Sequence, residues 1–158
     1  MTTPITTSPV VAAVGAAAVS AMSGPLADVV VLDGVDPAQA YSQRSLTIGG
    51  TWDPDVEQLT SAETVFVESA ESGFGRLPLE TTSVACIAYS GGGSSVLADH
   101  RASVNAILVG FRDALHALTD VGGSSAQARM TGQQWAQIID GQGAGVMAMF
   151  TVEVRVLP

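Results

Sequence analysis

The clearest hydrophobic pattern lies in the second half of the chain. Between Val96 and Leu118, apolar residues recur at three- and four-residue spacing, which predicts a long amphipathic helix. Ser94 or Ser95 is expected to cap its first turn. The positions that form the apolar stripe are Leu97, Val104, Ile107, Leu108, Phe111, Leu115 and Leu118.

The last ten residues follow a different period. Phe150, Val152, Val154 and Val156 alternate with Thr151, Glu153 and Arg155, which predicts a strand with one buried and one solvated face. A turn at residues 140–143 and strand-like residues before it indicate a hairpin or meander, although 133–139 fit helix or strand. We expect Phe111 and Leu115 to pack on the sheet that includes Val84, Cys86, Val152 and Val154.

Three further strands are predicted earlier in the chain. They cover Val29–Leu32, Arg44–Ile48 and Leu79–Tyr89. The third is apolar on both faces, which is typical of a central strand covered on both sides. The order of elements predicts an α+β fold, in which a mainly antiparallel sheet packs with an N-terminal helix and one long central helix. At 158 residues the chain suits a single domain spanning 1–158.

The predicted N-terminal helix is made of small apolar residues. Ser8 suits its N-cap, Pro9 its first turn, and Gly24-Pro25 its end. Its inward stripe is expected to be Val11, Val14, Ala18 and Met22. The apolar run is shorter than the roughly 20 residues of a membrane span, and no positive side chain precedes Arg44, as a signal peptide would require. No membrane association is expected.

The segment at about 51–78 is expected to be an acidic loop or arm. It carries four glutamates and two aspartates, yet it also holds large rings in a chain where only 5% of residues are aromatic. Aromatic residues on an acidic loop more often contact a partner than build a core. The candidate interface residues are therefore Trp52, Phe66, Phe74 and Arg76. The alternative is an ordinary strand at Val65–Val67 with only a short loop.

Composition narrows the classes of function. The formal net charge is −9 and lysine is absent, which argues against nonspecific nucleic-acid binding and against a lysine-containing phosphate loop. Only 13% of residues are charged, and mean hydropathy is +0.36. A small domain of this kind cannot bury all of its apolar surface, so the composition favours an obligate oligomer or assembly subunit.

The residue pattern favours no enzyme, cofactor or metal site. His100 and His116 lie about 24 Å apart along one helix and are expected at the surface, and no nucleophile elbow accompanies them. The single cysteine, Cys86, is expected to be a small buried hydrophobe. Gly141, Gly143 and Gly145 precede the last predicted strand and indicate a turn in which another group approaches the backbone closely. Asp53 starts an acidic run that lacks the glycine and glutamate of a calcium loop.

Several segments together resemble the tail terminator, or tail completion, proteins of long, non-contractile-tailed bacteriophages. The shared features begin with a helix followed by the segments Val29–Gly34 and Leu46–Gly49. A strand around Cys86 comes next and is joined by glycines to a long helix. Val121–Gly123 and Gly141–Gly145 complete the pattern. Val35 departs from it, because a proline is expected there.

The resemblance implies a structural virion protein without catalytic residues. Such a subunit forms a ring, most often hexameric, that caps the head-proximal end of the tail tube, ends tube polymerisation and docks the head connector. Its partners would be further copies of itself, the tail tube protein and the head–tail connector protein. DNA would pass through the pore without specific binding, and the virion would assemble in the host cytoplasm.

Two other readings stay open. A related neck, head-closure or tail-tube subunit would use similar elements, but a tube subunit would extend into filaments instead of stopping at a ring. A secreted or cell-surface binding module is more distant and would show processing near Ala21.

Overall fold

The computed structural model describes residues 7–33, 44–49, 52–53, 58–59, 67–72, 79–92, 96–140 and 143–157. The helices are α1 (Thr7–Ala21) and α2 (Leu97–His116), with a short 3₁₀ helix at Gly24–Leu26. The strands are β1 (Val30–Asp33), β2 (Ser45–Ile48), β3 (Trp52–Asp53), β4 (Gln58–Leu59), β5 (Val67–Ser72), β6 (Leu79–Gly91), β7 (Asp120–Val121), β8 (Ser124–Asp140) and β9 (Gly143–Leu157).

Seven of these strands form one sheet in the order β1-β2-β6-β9-β8-β7, and β5 pairs with the first half of β6. The β1–β2 pair is parallel, whereas the other pairs in the sheet are antiparallel. Strands β3 and β4 form a separate two-stranded ladder. With one helix before the sheet and one long helix between β6 and β7, the chain has the expected α+β architecture.

Strand β6 is the centre of the sheet, as its pattern predicts. It pairs with β9 from Glu80 to Gly91, while its other edge pairs first with β5 and then with β2. Successive side chains point to opposite faces. Cys86 is buried on the face covered by the helices, and Ile87 and Tyr89 are buried on the other face.

The core forms where α2 lies across β6, β8 and β9. Phe111 and Leu115 are fully buried in one cluster with Val84, Cys86, Val152 and Val154, so the expected packing is confirmed. The Phe111 ring meets the Phe150 ring edge to face, with centroids 6.0 Å apart.

Helix α1 packs on α2 and on the β1–β2 end of the sheet. Its fully buried residues are Val10, Val14 and Ala18, whereas Val11 and Met22 are only partly buried. The inward stripe is therefore rotated slightly from the expected one. Small side chains at these positions let the two helices approach closely.

Three details differ from the sequence prediction. Helix α1 begins at Thr7, so Ser8 and Pro9 lie inside the helix and the expected cap at Ser8 is wrong. The residue that caps α2 is Val96, which offers no side-chain hydrogen bond, so the expected serine cap is wrong; Ser94 and Ser95 lie outside the described residues. The ambiguous segment 133–139 is strand, because β8 runs without interruption from Ser124 to Asp140.

The single cysteine behaves as expected, whereas Gly143 and Gly145 lie in β9 and not in the predicted turn before it. Burial raises the pKa of the Cys86 thiol to about 12, although a hydrogen bond with the Gly49 backbone acts in the opposite direction, so this side chain is a buried hydrophobe. Gly145 lies under the Tyr89 ring, where an added Cβ would sit 2.7 Å from the phenolic oxygen. A glycine is thus required at this position of β9 because the Tyr89 side chain lies close to its backbone.

Replacing Phe111 with alanine tests the core. Phe111→Ala is expected to lower the free energy of unfolding by roughly 3–5 kcal/mol, because it removes a fully buried ring and leaves a cavity against Phe150. Arg112→Ala, at the exposed neighbouring position, is the matched control. Denaturant unfolding followed by circular dichroism measures both, and an unchanged midpoint for Phe111→Ala would contradict this packing.

Candidate assembly surface

The sequence-predicted interface residues remain a prediction. Trp52 lies in β3 opposite Leu59, and nothing is described of its side chain. Phe66, Phe74 and Arg76 lie outside the described residues. Part of the expected arm belongs to the main sheet, because β5 pairs with β6 from Leu79 to Val84. This strand begins at the last residue of the alternative strand, Val65–Val67.

One end of the sheet is formed by β8, and among the described residues most of that strand has a partner on one side only. Strand β7 pairs only with Ser124 and Ser125, and the Thr119 carbonyl accepts the next hydrogen bond, from the Ala126 amide. From Gln127 to Asp140, which we call the β8 edge, no described residue pairs with the outer side of the strand. Unpaired amide and carbonyl groups of this kind are a template for another strand.

Trp135 is the largest exposed side chain on the β8 edge. It is 42% exposed, and its indole nitrogen donates to the Gln133 side-chain oxygen at 3.4 Å. The sequence left open whether Trp135 belongs to the core or to an interface. An exposed tryptophan at an unpaired edge favours an interface, because tryptophan is enriched among the residues that dominate binding energy.

A β-bulge determines the direction in which Trp135 points. Thr131 lies opposite Thr151, but Gln134 lies opposite Met149, so β8 has one extra residue there. Gly132 lies in this bulge and has a φ of +61°, a left-handed backbone conformation that glycine adopts readily. As a result Trp135 lies opposite Ala148, on the face that carries the helices. Without the bulge it would face the other way.

The opposite end of the sheet has a groove between α1 and β1. This α1–β1 groove has a volume of about 400 Å³, and every residue lining it is apolar. Val19 is 63% exposed beside it, and no described residue pairs with the outer side of β1. The lining residues are Val11, Ala12, Gly15, Val19, Val31, Leu32 and Ile48.

Both surfaces carry few charges in a chain of net charge −9. The groove lining has none, β1 beside it ends at Asp33, and the β8 edge has Arg129 and Asp140. Helix α1 contains no charged residue, and the β8–β9 hairpin balances two arginines against two acids. Within the hairpin, Glu153 accepts from Arg129 at 2.9 Å and from Arg155 at 3.2 Å. These partly exposed pairs add little stability. Like-charge repulsion between copies therefore comes mainly from other parts of the chain.

One histidine is not where the sequence analysis placed it. His116 is exposed as expected, but His100 is only 6% exposed, and its Nδ1 lies 3.0 Å from the Ser90 hydroxyl. The expectation of two surface histidines is wrong for His100. The sequence could have predicted the burial of His100, because this residue is in helical phase with the buried Val104 and Phe111. Ser90 is itself buried, so this hydrogen bond joins α2 to the end of β6 and is closed to a substrate.

Two negative observations apply to the residues that the structure describes. Among them, no group of three or more His, Cys, Asp or Glu side chains is arranged to hold a metal ion. Neither α1 nor α2 has the length and apolar character that crossing a bilayer requires.

Comparison with known proteins gives a likeness of fold. No family model matches the chain, and no curated protein does. A solved structure, the virion of a native gene transfer agent particle, contains a chain with a similar fold. The TM-score is 0.63 at 10% sequence identity, and the match covers 99% of this chain and all of that one. The two chains therefore share a fold along their whole length.

Removing the buried hydroxyl tests the link between α2 and β6. Ser90→Ala is expected to lower the free energy of unfolding by about 1–2 kcal/mol, because it deletes a buried hydrogen bond to His100. Ser125→Ala, at an exposed position of β8, is the matched control. Chemical denaturation measures both, and equal stability of the two variants would show that the Ser90–His100 bond contributes nothing.

Proposed function

We propose that this protein is a structural subunit of a virion and, more specifically, a tail terminator. In this role it forms a closed ring at the head-proximal end of a tail tube, and the family resemblance implies six copies in that ring. The observation that carries the proposal is the full-length fold likeness to a chain of a gene transfer agent virion. The resemblance of the sequence to tail terminator proteins makes it specific.

The described surface supports a role in assembly. The sheet has free edges at both ends among the described residues, and neither the groove lining nor residues 131–139 of β8 carry a charge. Val19 and Trp135 are large exposed apolar side chains at opposite ends of the sheet. Exposed apolar groups beside unpaired strand edges are typical of surfaces that another chain covers.

The ring would act by geometry and charge, with no catalytic group or cofactor. Its tube-facing side would end polymerisation of the tail tube protein, and its other side would dock the head–tail connector protein. An acidic subunit also suits a pore for DNA, since like charge discourages phosphate from adhering to the wall. Assembly of the tail would take place in the host cytoplasm.

A tail-tube or neck subunit is the second candidate. The observation that favours it is that the two ends of the sheet are unlike each other, because unlike surfaces on one subunit can build either a closed ring or an open filament. The two roles therefore differ in whether assembly stops.

The stoichiometry of the purified protein tests the proposal. We expect one closed species, built from about six copies of the 16.0 kDa chain, in light scattering and as rings in negative-stain images. If the ring needs its tube, it is expected to form on the ends of added tail tubes. Filaments of open length would favour the tube subunit. A stable monomer, both alone and with tube ends, would overturn the proposal.

The predicted arm is proposed as a second contact, to a neighbouring subunit or to the tail tube, through Trp52, Phe66, Phe74 and Arg76. Point substitutions are needed, since deleting residues 68–76 would remove most of β5. Phe74→Ala and Arg76→Ala are expected to keep the melting midpoint but to impair assembly or tail completion. Arg101→Ala, on the exposed side of α2, is the control. Normal assembly and tail completion with both variants would remove the arm from the interface.

A further inference from the structure

We infer that the ring closes head to tail, with the β8 edge of one copy docked on the α1–β1 groove of the next and Trp135 seated in that groove. This inference rests on the proposed ring and names the contact that builds it. The occupant of the groove is thus a second copy of this chain.

The first step is symmetry. A contact between identical surfaces is two-fold and is satisfied by two copies, whereas a ring of more copies needs two different surfaces on each subunit. The β8 edge and the groove meet this requirement. They are unlike in shape, and they lie at opposite ends of one sheet, with β2, β6 and β9 between them.

The second step is backbone pairing. Gln127–Asp140 and Val30–Asp33 each have one side that no described residue pairs with. Bringing the two edges together would continue the sheet from one subunit into the next. Main-chain hydrogen bonds would then supply affinity, and side-chain pockets would supply specificity, as in other strand-addition contacts.

The third step is the direction of Trp135. When two sheets join edge to edge with their helices on the same side, a side chain on the helix-bearing face of β8 points toward α1 of the neighbour. Trp135 is on that face because of the bulge between Thr131 and Gln134. The groove is also on that face, since Val31 and Ile48 of its lining contact the helix-covered core.

The fourth step is polarity, which favours a second copy over a charged partner such as DNA. Residues 131–139 of the β8 edge carry no charge, and neither do α1 and the groove lining. The charges of the docked segments are at their ends, with Arg129 and Asp140 on the β8 edge and Asp33 on β1. Each surface would therefore lose little hydration of charged groups when it is covered by the other. Because the central part of each surface is uncharged, two copies of an acidic chain can meet here with little like-charge repulsion.

A complementation experiment tests the contact. Trp135→Glu spoils only the β8 edge, and Val19→Glu spoils only the groove; both positions are exposed, so the subunit fold is expected to survive. Each variant alone is expected to stay monomeric. Mixed in equal amounts, they are expected to form two-copy complexes and no rings, because each brings one intact surface. Val109→Glu, at an exposed position of α2, is the control and is expected to form rings.

The possible outcomes distinguish a failure of the proposed contact from a failure of the proposed ring. Rings formed by Val19→Glu or by Trp135→Glu would overturn the head-to-tail contact while leaving the tail terminator proposal intact. Failure of the mixture to form two-copy complexes would overturn it too, if both variants melt like the wild type. A wild-type protein that never forms a ring would overturn both proposals.

Two less disruptive substitutions keep the test valid if either glutamate substitution unfolds the subunit. Trp135→Ala and Val19→Ser are expected to raise the concentration at which rings dissociate by about tenfold or more, as loss of an interface anchor does. An unchanged dissociation concentration for either one would count against the contact.

Discussion

The structure depends on the burial of one stripe of α2 against the central strands of the sheet. Phe111 and Leu115 are fully enclosed, and the Phe111 ring meets Phe150 of β9 while β6 supplies Val84 and Cys86. This packing holds the chain segments before and after α2 in one sheet. Helix α1 then packs on α2, and the Ser90–His100 hydrogen bond joins the start of α2 to the end of β6.

Because the helices cover the middle of one face, the two ends of the sheet are left for other contacts. At one end the bulge in β8 turns Trp135 toward the helix-bearing side, and at the other end small residues of α1 leave an apolar groove beside β1. The groove lining and residues 131–139 of β8 carry no charge, although the chain as a whole is strongly acidic. The low charge content and high mean hydropathy of the sequence thus have a structural counterpart in two surfaces that carry few charges and that no described residue covers.

Much of this fold could be predicted from periodicity alone. Helix α2, strand β6 and the last part of β9 were predicted because each has a buried face that repeats at the period of its secondary structure. His100 could also have been placed, since it is in phase with the apolar stripe of α2.

The remaining elements give weak signals for physical reasons. In β8, the extra residue between Thr131 and Gln134 breaks the two-residue period, and an exposed edge strand has little apolar alternation to show. Strand β5 has the sequence VESAES, so its pairing with β6 depends on backbone hydrogen bonds more than on an apolar pattern. The parallel pairing of β1 with β2 is a matter of topology that neither short strand encodes. The face of the sheet on which Trp135 lies could be assigned only after the bulge was known.

Amide hydrogen exchange across the assembly transition tests the central claim most directly, namely that copies meet at the two ends of the sheet. The wild-type protein would be compared at a concentration where it is assembled and after dilution until it dissociates. The account predicts that amides of the β8 edge and of β1 gain protection together on assembly, while amides in the middle of α2 are already protected in the single subunit. Equal exchange of both edges in the assembled and dissociated protein would contradict it.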